Sequence, residues 1–258
     1  MVVYNLAQNL SNAGHQSCVI TSWREWKWKT PGGLPYKILP LPPNIQRSKE
    51  VMGGAGWQWL NAPAAAFYHI LKNFDVWHLH SFFPHGWRIE PALDYLNIPF
   101  VITAHGEEVS SLPHLSYGYR TSKRHELLIQ EFLKKESQIT AISKTIEDEY
   151  VSLGVSRERI TRIPNGVDYR RIVEVKVDRA SVRQEYGLGS DEFVLLTIAN
   201  NTVTKGYKYV PMTVKLLSQK IRNFRWVIVG KGCEAVADEI DRMGLSRHVK
   251  VISQITSH

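Results

Sequence analysis

Apolar residues along this chain follow two alternating patterns, which predict strands and helices in turn. Continuous apolar runs such as 99–104 and 193–199 are typical of strands buried in a parallel sheet, so an α/β fold with parallel sheets is expected. The predicted strands are 17–21, 75–80, 99–104, 138–142, 160–163, 193–199, 225–229 and 248–252. The predicted helices, in which apolar residues recur three and four positions apart, are 3–10, 59–71, 92–96, 122–136, 144–153, 205–217 and 234–243.

The stretch 163–168 divides the chain into two α/β units. Pro164 cannot donate to a sheet ladder and Gly166 permits positive φ, so the strand 160–163 must end here. We expect a first domain over 1–166 and a second over 167–258. The alternative is an ordinary loop inside one domain. The second unit holds about two and a half strand–helix repeats, too few for a complete nucleotide-binding sheet.

Composition places the chain among soluble globular proteins, with 43% hydrophobic and 22% charged residues. No apolar run approaches a membrane span, and no secretory leader pattern opens the sequence. Cys18 and Cys233 lie far apart, which argues against a disulfide framework and favours a reducing compartment, the cytoplasm by default. Residues 22–66, rich in Pro, Gly and Trp, give no clear pattern before position 59.

The net charge of +8 is compatible with an anionic partner such as a nucleotide, a phospholipid surface or nucleic acid, and charge alone does not choose among them. The aromatic and basic stretch 23–29 is a candidate for peripheral contact with the inner face of a membrane. A solvated loop is the favoured interpretation, because no long amphipathic helix accompanies the stretch.

Seven short segments in register over nearly the whole chain resemble the retaining glycosyltransferases of family 4, also called group 1. None is specific alone; together they are a strong signal. The segments are Leu6-Ala7 with Leu10 and Gly14-His15; Asp75-Val76 with His78 and His80; Thr-Ala-His-Gly-Glu at 103–107; Ala-Ile-Ser at 141–143; Ile-Pro-Asn-Gly-Val-Asp at 163–168; Lys205-Gly206; and Val-Ile-Val-Gly at 227–230.

The resemblance implies a GT-B fold of two facing Rossmann-like domains, the first on the acceptor side and the second binding the nucleotide sugar. It implies transfer of a sugar, with retention and without metal or other cofactor, from a UDP-, GDP- or ADP-sugar to a carbohydrate or lipid-linked acceptor. Nucleic acid is not an expected partner. Two rival interpretations remain: a sugar-nucleotide epimerase of the same fold, and a non-catalytic fragment or binding module.

The resemblance also implies roles for individual residues. His105 would contact the transferred sugar as the catalytic residue, and Glu107 and Glu108 would bind the acceptor, the alternative being that the two glutamates are ordinary surface charges. The donor would be bound by residues that follow two strands of the second domain, where ligands of α/β proteins bind. These donor-binding candidates are Asn200, Lys205, Gly206 and Gly230.

Three departures from the family pattern affect these expectations. The family begins with a strand and a Gly-Gly loop and continues to a pair of glutamates, and both lie beyond this sequence, so the pattern is truncated at both ends. Asn200 stands where the family usually has Arg, which removes one of two cations for the diphosphate.

Two patterns invite a different chemistry. His78, His80, His85 and His105 could ligate zinc, although no cysteine and no evident carboxylate completes a set. Gly230 and Gly232 could form a phosphate loop, but a tight strand-to-helix turn explains them equally well.

Overall fold

The computed structural model describes residues 2–22, 33–41, 61–83, 86–135 and 137–253. The aromatic and basic stretch 23–29 and His85 lie outside these residues. The chain divides into two compact units, Met1–Val167 (unit 1) and Asp168–His258 (unit 2), and each is described here by itself. Every strand pair of the described residues is parallel, so the predicted α/β class with parallel sheets is confirmed.

Unit 1 contains a two-stranded sheet, β1–β2, and a four-stranded sheet in the order β3–β4–β5–β6. Its strands are β1 Cys18–Ser22, β2 Lys37–Leu41, β3 Trp77–His80, β4 Phe100–Ala104, β5 Gln138–Ala141 and β6 Ile160–Arg162. Its α-helices are α1 Val2–Asn12, α2 Ala62–Lys72, α3 Glu90–Tyr95, α4 Lys123–Leu133 and α5 Lys144–Ser152.

The helices of unit 1 begin where the sequence supplies a start signal. Proline lies in the first turn of α2 and of α3, where its missing N–H is not needed. The hydroxyl of Ser143 accepts the backbone N–H of Ile146 at 3.3 Å and caps α5, as its position before the apolar pattern predicts. These local signals explain why the predicted helices and the observed ones coincide within a few residues.

The main core of unit 1 lies around the four-stranded sheet. Ile102 and Ile139, on adjacent strands, are fully buried, and Phe82 stacks on Phe132 of α4 with ring centroids 5.1 Å apart. A smaller cluster, formed by Ala7, Val19 and Tyr36, packs α1 on the two-stranded sheet. The sheet β3–β6 is thus the rigid element on which the candidate residues of unit 1 are mounted.

Unit 2 contains one three-stranded sheet in the order β7–β8–β9, with its own core. Its strands are β7 Phe193–Ile198, β8 Phe224–Val229 and β9 Val249–Ile252, and its α-helices are α6 Tyr169–Val173, α7 Arg179–Glu185, α8 Val210–Lys220 and α9 Glu234–Arg242.

Two expectations for unit 2 are wrong. The apolar run 193–199 predicted a buried strand, but Leu196 and Ile198 of β7 are 61% and 71% exposed, because the core of unit 2 packs on the opposite face of the strand, where Leu195 lies. The helix expected to open at Lys205 begins at Val210 instead. Strand β2, in the unassigned region, and the short helices α6 and α7 were not predicted from the sequence.

No helix in the described part of the chain combines the length and the apolar character needed to cross a bilayer. Both cysteines, Cys18 and Cys233, carry free thiols.

One glycine of unit 1 is required by a close backbone contact. Gly118 has φ 96°, and a Cβ built there would lie 2.0 Å from the carbonyl oxygen of Ser110. Gly154 has a similar φ of 92° after α5, but nothing lies within 4 Å of its Cβ position. Alanine substitutions at these two glycines therefore separate the cost of a positive φ from the cost of a steric clash.

We expect Gly118→Ala to destabilise unit 1 by more than Gly154→Ala. The positive φ costs an alanine about 1–2 kcal/mol at either site, and only position 118 adds a backbone clash that forces the chain at Ser110 to move. Urea unfolding of both variants measures the two losses. Equal losses would contradict the close contact.

Candidate functional site

The parallel register of β3 and β4 places four polar residues on one face of the sheet. His80 is level with Thr103 and His78 with Val101. Because side chains alternate across a strand, His78 and His80 share one face of β3, and Thr103 and His105 lie two residues apart at the end of β4. The strand ends therefore bring the predicted catalytic residue, His105, next to two further histidines.

The three imidazoles lie in contact and form the histidine cluster of His78, His80 and His105. Nδ1 of His80 lies 3.0 Å from Nε2 of His105, and the two ring planes are 15° apart. The ring of His78 lies 4.0 Å from that of His80, centroid to centroid. Nε2 of His78 is 2.6 Å from the hydroxyl of Thr103, which in turn bonds the hydroxyl of Thr140 on β5.

Desolvation favours the neutral form of two of these rings. It lowers the pKa of His80 to about 3, with smaller contributions from the nearby His78 and His105. Burial also lowers the pKa of His78, again with a contribution from His105. Neutral imidazoles have one N–H and one bare nitrogen each, so each can both donate and accept a hydrogen bond.

The loop after β4 is fixed at its first two residues. The N–H of Ala104 donates to the hydroxyl of Tyr150 on α5 at 2.8 Å, and the N–H of His105 donates to Oε2 of Glu108 at 3.1 Å. Tyr150 is fully buried. The backbone that carries His105 is therefore tied both to a helix and to its own loop.

The two glutamates proposed to bind the acceptor have different environments. Glu107 is exposed, and its carbonyl oxygen accepts the N–H of Tyr119 at 2.9 Å. Glu108 is only 2% exposed. Its carboxylate accepts the N–H of His105 from within the loop, so Glu107 is the more accessible of the two acceptor-binding candidates. Burial of Tyr117 and Tyr119 raises the pKa of both hydroxyls, and the two carboxylates add to the rise.

Arg120 holds the far side of the same loop. Its Nη1 donates to the carbonyl oxygen of Val109 at 2.8 Å and also pairs with Glu149 of α5 at 2.5 Å. Its Nη2 pairs with Glu126 of α4 at 3.2 Å. With its side chain only 11% exposed, Arg120 connects the loop to two helices.

In unit 2, Asn200 and Gly230 lie together where β7 and β8 end. Oδ1 of Asn200 accepts the N–H of Lys231 at 3.1 Å. A Cβ at Gly230 would lie 2.0 Å from the carbonyl oxygen of Ala199, so only glycine permits this approach of the two strand ends. Asn201 adds a bond from its Nδ2 to the carbonyl oxygen of Gly232 at 2.9 Å.

Lys205 and Gly206 lie in the segment that leads from β7 to α8. Lys205 ends a 3-10 turn, Val203–Lys205, and Gly206 follows with φ 70°. Lys205 lies outside any α-helix and not at the predicted helix start, so the unfavourable interaction of a cation with a helix N-terminus does not arise. Its ammonium group is exposed and forms no hydrogen bond or ion pair with the described residues.

The zinc interpretation has no support in the described residues, where no group of three His, Cys, Asp or Glu residues is arranged to hold a metal ion. In the histidine cluster, ring nitrogens face one another and a threonine hydroxyl instead.

Several supporting residues were not found from the sequence. Tyr150 and Arg120 fit the apolar and charged patterns of their surroundings, and nothing in their spacing reveals a bond to a distant loop. Tyr207, whose hydroxyl donates to the carbonyl oxygen of Ala199 at 2.5 Å, was missed for the same reason.

Comparison with known proteins adds a family and a fold. The family model described as Glycosyltransferase Family 4 matches residues 1–171. Among curated proteins, N-acetyl-alpha-D-glucosaminyl L-malate synthase of Bacillus anthracis is 24% identical over 237 residues, which are 89% of this chain and 57% of that protein. The chain thus spans little more than half the length of this relative.

Two solved structures match nearly the whole chain. A glycosyltransferase from Rickettsia africae ESF-5 has a TM-score of 0.69 at 18% identity, covering 99% of this chain and 64% of that one. Anabaena Alr3699/HepE, solved with UDP and glucose, has a TM-score of 0.66 at 17% identity, covering 99% and 65%. These likenesses confirm the expected GT-B-like fold class.

The low pKa of His80 predicts a loss of stability in acid. Between the folded pKa of about 3 and the unfolded value of 6.5, the unfolded chain binds a proton that the folded chain does not. The contribution of neutral His80 is therefore complete above pH 6.5 and is lost as pH falls towards 3. From pH 7 to pH 5 this one group costs about 2 kcal/mol of stability.

We expect the asparagine variant His80→Asn, which cannot titrate, to lose about 2 kcal/mol less than the wild type between these two pH values. Urea unfolding of both proteins at pH 7 and pH 5 measures the difference. Parallel losses would show that His80 is protonated as readily in the folded chain as in the unfolded one.

Proposed function

The chain belongs to glycosyltransferase family 4, and we propose that it transfers a sugar from a nucleotide-sugar donor to a carbohydrate or lipid-linked acceptor. The observation that carries this proposal is the family match, which covers all of unit 1. We assign the acceptor to unit 1 and the donor to unit 2, with the division near residue 167. A UDP-sugar is the first donor to test, because a protein of the same fold holds UDP and glucose.

The donor diphosphate would be bound at the ends of β7 and β8. Lys205 supports this assignment, because it is an exposed cation without a carboxylate partner in the described part of unit 2. Gly206 gives the segment its left-handed turn, and Gly230 lets the next loop approach Asn200. Asn200 is neutral and holds the N–H of Lys231, so it would order the loop and add no charge.

The proposed reaction proceeds with retention and without a metal ion. The bond between the anomeric carbon and the phosphate oxygen breaks, and the acceptor oxygen bonds the same carbon from the same face. The acceptor's proton passes to the departing phosphate. Lys205 and backbone amides would stabilise the charge on the leaving diphosphate, and His105 would contact the sugar through its polar edge. The exposed Glu107 is the acceptor contact that we retain.

The two free thiols fit a reducing compartment. We place the enzyme in the cytoplasm, at the inner membrane face if the acceptor is lipid-linked.

The variant Lys205→Ala tests the phosphate assignment. A charge-assisted bond to phosphate contributes about 1.5–3 kcal/mol, so we expect the Kd for UDP to rise about 10-fold to 100-fold. Calorimetric titration with UDP, GDP and ADP, and with their common sugars, measures the change and identifies the base. Lys208→Ala is the matched control, because Lys208 is an exposed cation of the same segment that lies over the ring of Tyr209.

If Lys205→Ala and Lys208→Ala bind UDP with the same Kd, Lys205 does not contact the phosphates. Absence of any nucleotide binding by the folded wild-type chain would favour a non-catalytic module.

Transfer assays test the reaction itself. With a UDP-sugar and a glycan acceptor, we expect a product whose anomeric coupling constant in NMR spectra matches that of the donor. The rate should be the same in EDTA, because no metal neutralises the diphosphate. Loss of the donor without an acceptor would identify an epimerase instead, and an inverted product would contradict retention.

A further inference from the structure

The backbone N–H and one ring nitrogen of His105 are engaged by neighbouring residues. Its backbone N–H is bonded to Glu108, and the preceding N–H is bonded to Tyr150. Its Nε2 faces Nδ1 of His80 at 3.0 Å, with the rings 15° from coplanar, which is a good geometry for a hydrogen bond. The second ring nitrogen, Nδ1, has no hydrogen-bond partner among the described residues.

His80 is itself held in place. It ends β3, its ring lies 4.0 Å from that of His78, and Nε2 of His78 is bonded to Thr103 at 2.6 Å. Thr103 is 4% exposed and lies on β4, the strand that leads into His105. The bond to His105 is therefore made from one rigid strand to the end of its neighbour.

A neutral His80 can either donate the hydrogen bond to His105 or accept it. Burial lowers the pKa of His80, so its Nδ1 is either an N–H donor or a bare acceptor, but the ring does not carry a second proton. The partner nitrogen of His105 takes the complementary role. A bond of this kind fixes both the orientation of the His105 ring and the tautomer it adopts.

We propose that His80 is a positioning residue that engages Nε2 of His105 and leaves Nδ1 as the ring nitrogen available to the sugar. This inference rests on the proposed function for its consequence, since His105 is the residue that contacts the sugar there. The bond itself is a property of the free chain. The role differs from that of a metal ligand and from that of a group that merely fills space in the core.

Two substitutions at position 80 separate these roles. In His80→Asn the side-chain amide can place a polar atom where Nδ1 lies, and it can donate or accept. In His80→Leu the volume is largely kept but the bond is lost. Because His78 and Thr103 remain unchanged in both, a purely space-filling role would favour the leucine, and a positioning role would favour the asparagine.

The first measurement is made on the free chain. Long-range ¹H–¹⁵N NMR spectra report which ring nitrogen of each histidine carries the proton. We expect His80→Leu to change the ¹⁵N shifts of the His105 ring and His80→Asn to leave them near the wild-type values. His125→Asn, which replaces another half-buried imidazole of unit 1, is the control and should leave them unchanged. Unchanged His105 shifts in His80→Leu would overturn the inference.

The second measurement is sugar transfer by the same proteins. A misplaced catalytic ring costs up to about 100-fold in rate, so we expect kcat to fall about 10-fold to 100-fold in His80→Leu, with a small change in KM. His80→Asn should recover most of this loss. Equal losses in both variants, or none in either, would contradict a positioning role.

The two measurements distinguish failure of the proposed function from failure of the inference about His80. If the wild-type chain transfers no sugar, the proposed function fails, and the imidazole spectra still decide whether His80 orients His105. If His80→Leu does not fold, as judged by circular dichroism, His80→Asn carries the test. Loss of the wild-type His105 tautomer in that variant would then overturn the inference, and its retention would support it.

Discussion

The parallel register of β3, β4 and β5 is the constraint on which the candidate site of unit 1 depends. Parallel neighbours end at the same sheet edge and alternate residues share a face, so His78, His80, Thr103 and Thr140 meet on the sheet itself, and His105 joins them from the first position after β4. Polar side chains in such a place are tolerated because they bond one another. The same bonds that make the sheet edge stable therefore also fix the imidazoles, and fold and site cannot be separated here.

The loop that carries His105 is ordered from outside by residues distant in sequence. Tyr150 accepts the N–H of Ala104 from α5, and Arg120 donates to the carbonyl oxygen of Val109 while it pairs with glutamates of α4 and α5. Glu108 closes the loop from within. A side chain mounted in this way needs little reorganisation when a ligand arrives, which is the main advantage of a site built on rigid elements.

Most strands and helices could be predicted from the sequence, because apolar periodicity and start signals such as Ser143 are local. Burial could not be predicted, since it depends on what each element packs against. The run 193–199 has the composition of an interior strand, yet Ile198 is largely exposed on β7. Glu108 carries a charge, as residues at the surface usually do, yet it is buried. His105 and Lys205 were identified as candidates from the family resemblance. The residues that support them act through tertiary contacts, which no local sequence pattern predicts.

In unit 2, as in unit 1, side chains bond the backbone at the ends of the strands. Asn200 accepts the N–H of Lys231, and Tyr207 donates to the carbonyl oxygen of Ala199. An arginine at position 200 would supply a charge but has no acceptor atom, so it could not receive that N–H. Compared with arginine, asparagine at position 200 therefore lacks the positive charge but orders the loop through this hydrogen bond. In the proposed donor site, the charge pairing of a bound diphosphate would therefore depend on Lys205, the exposed cation of the segment that follows β7.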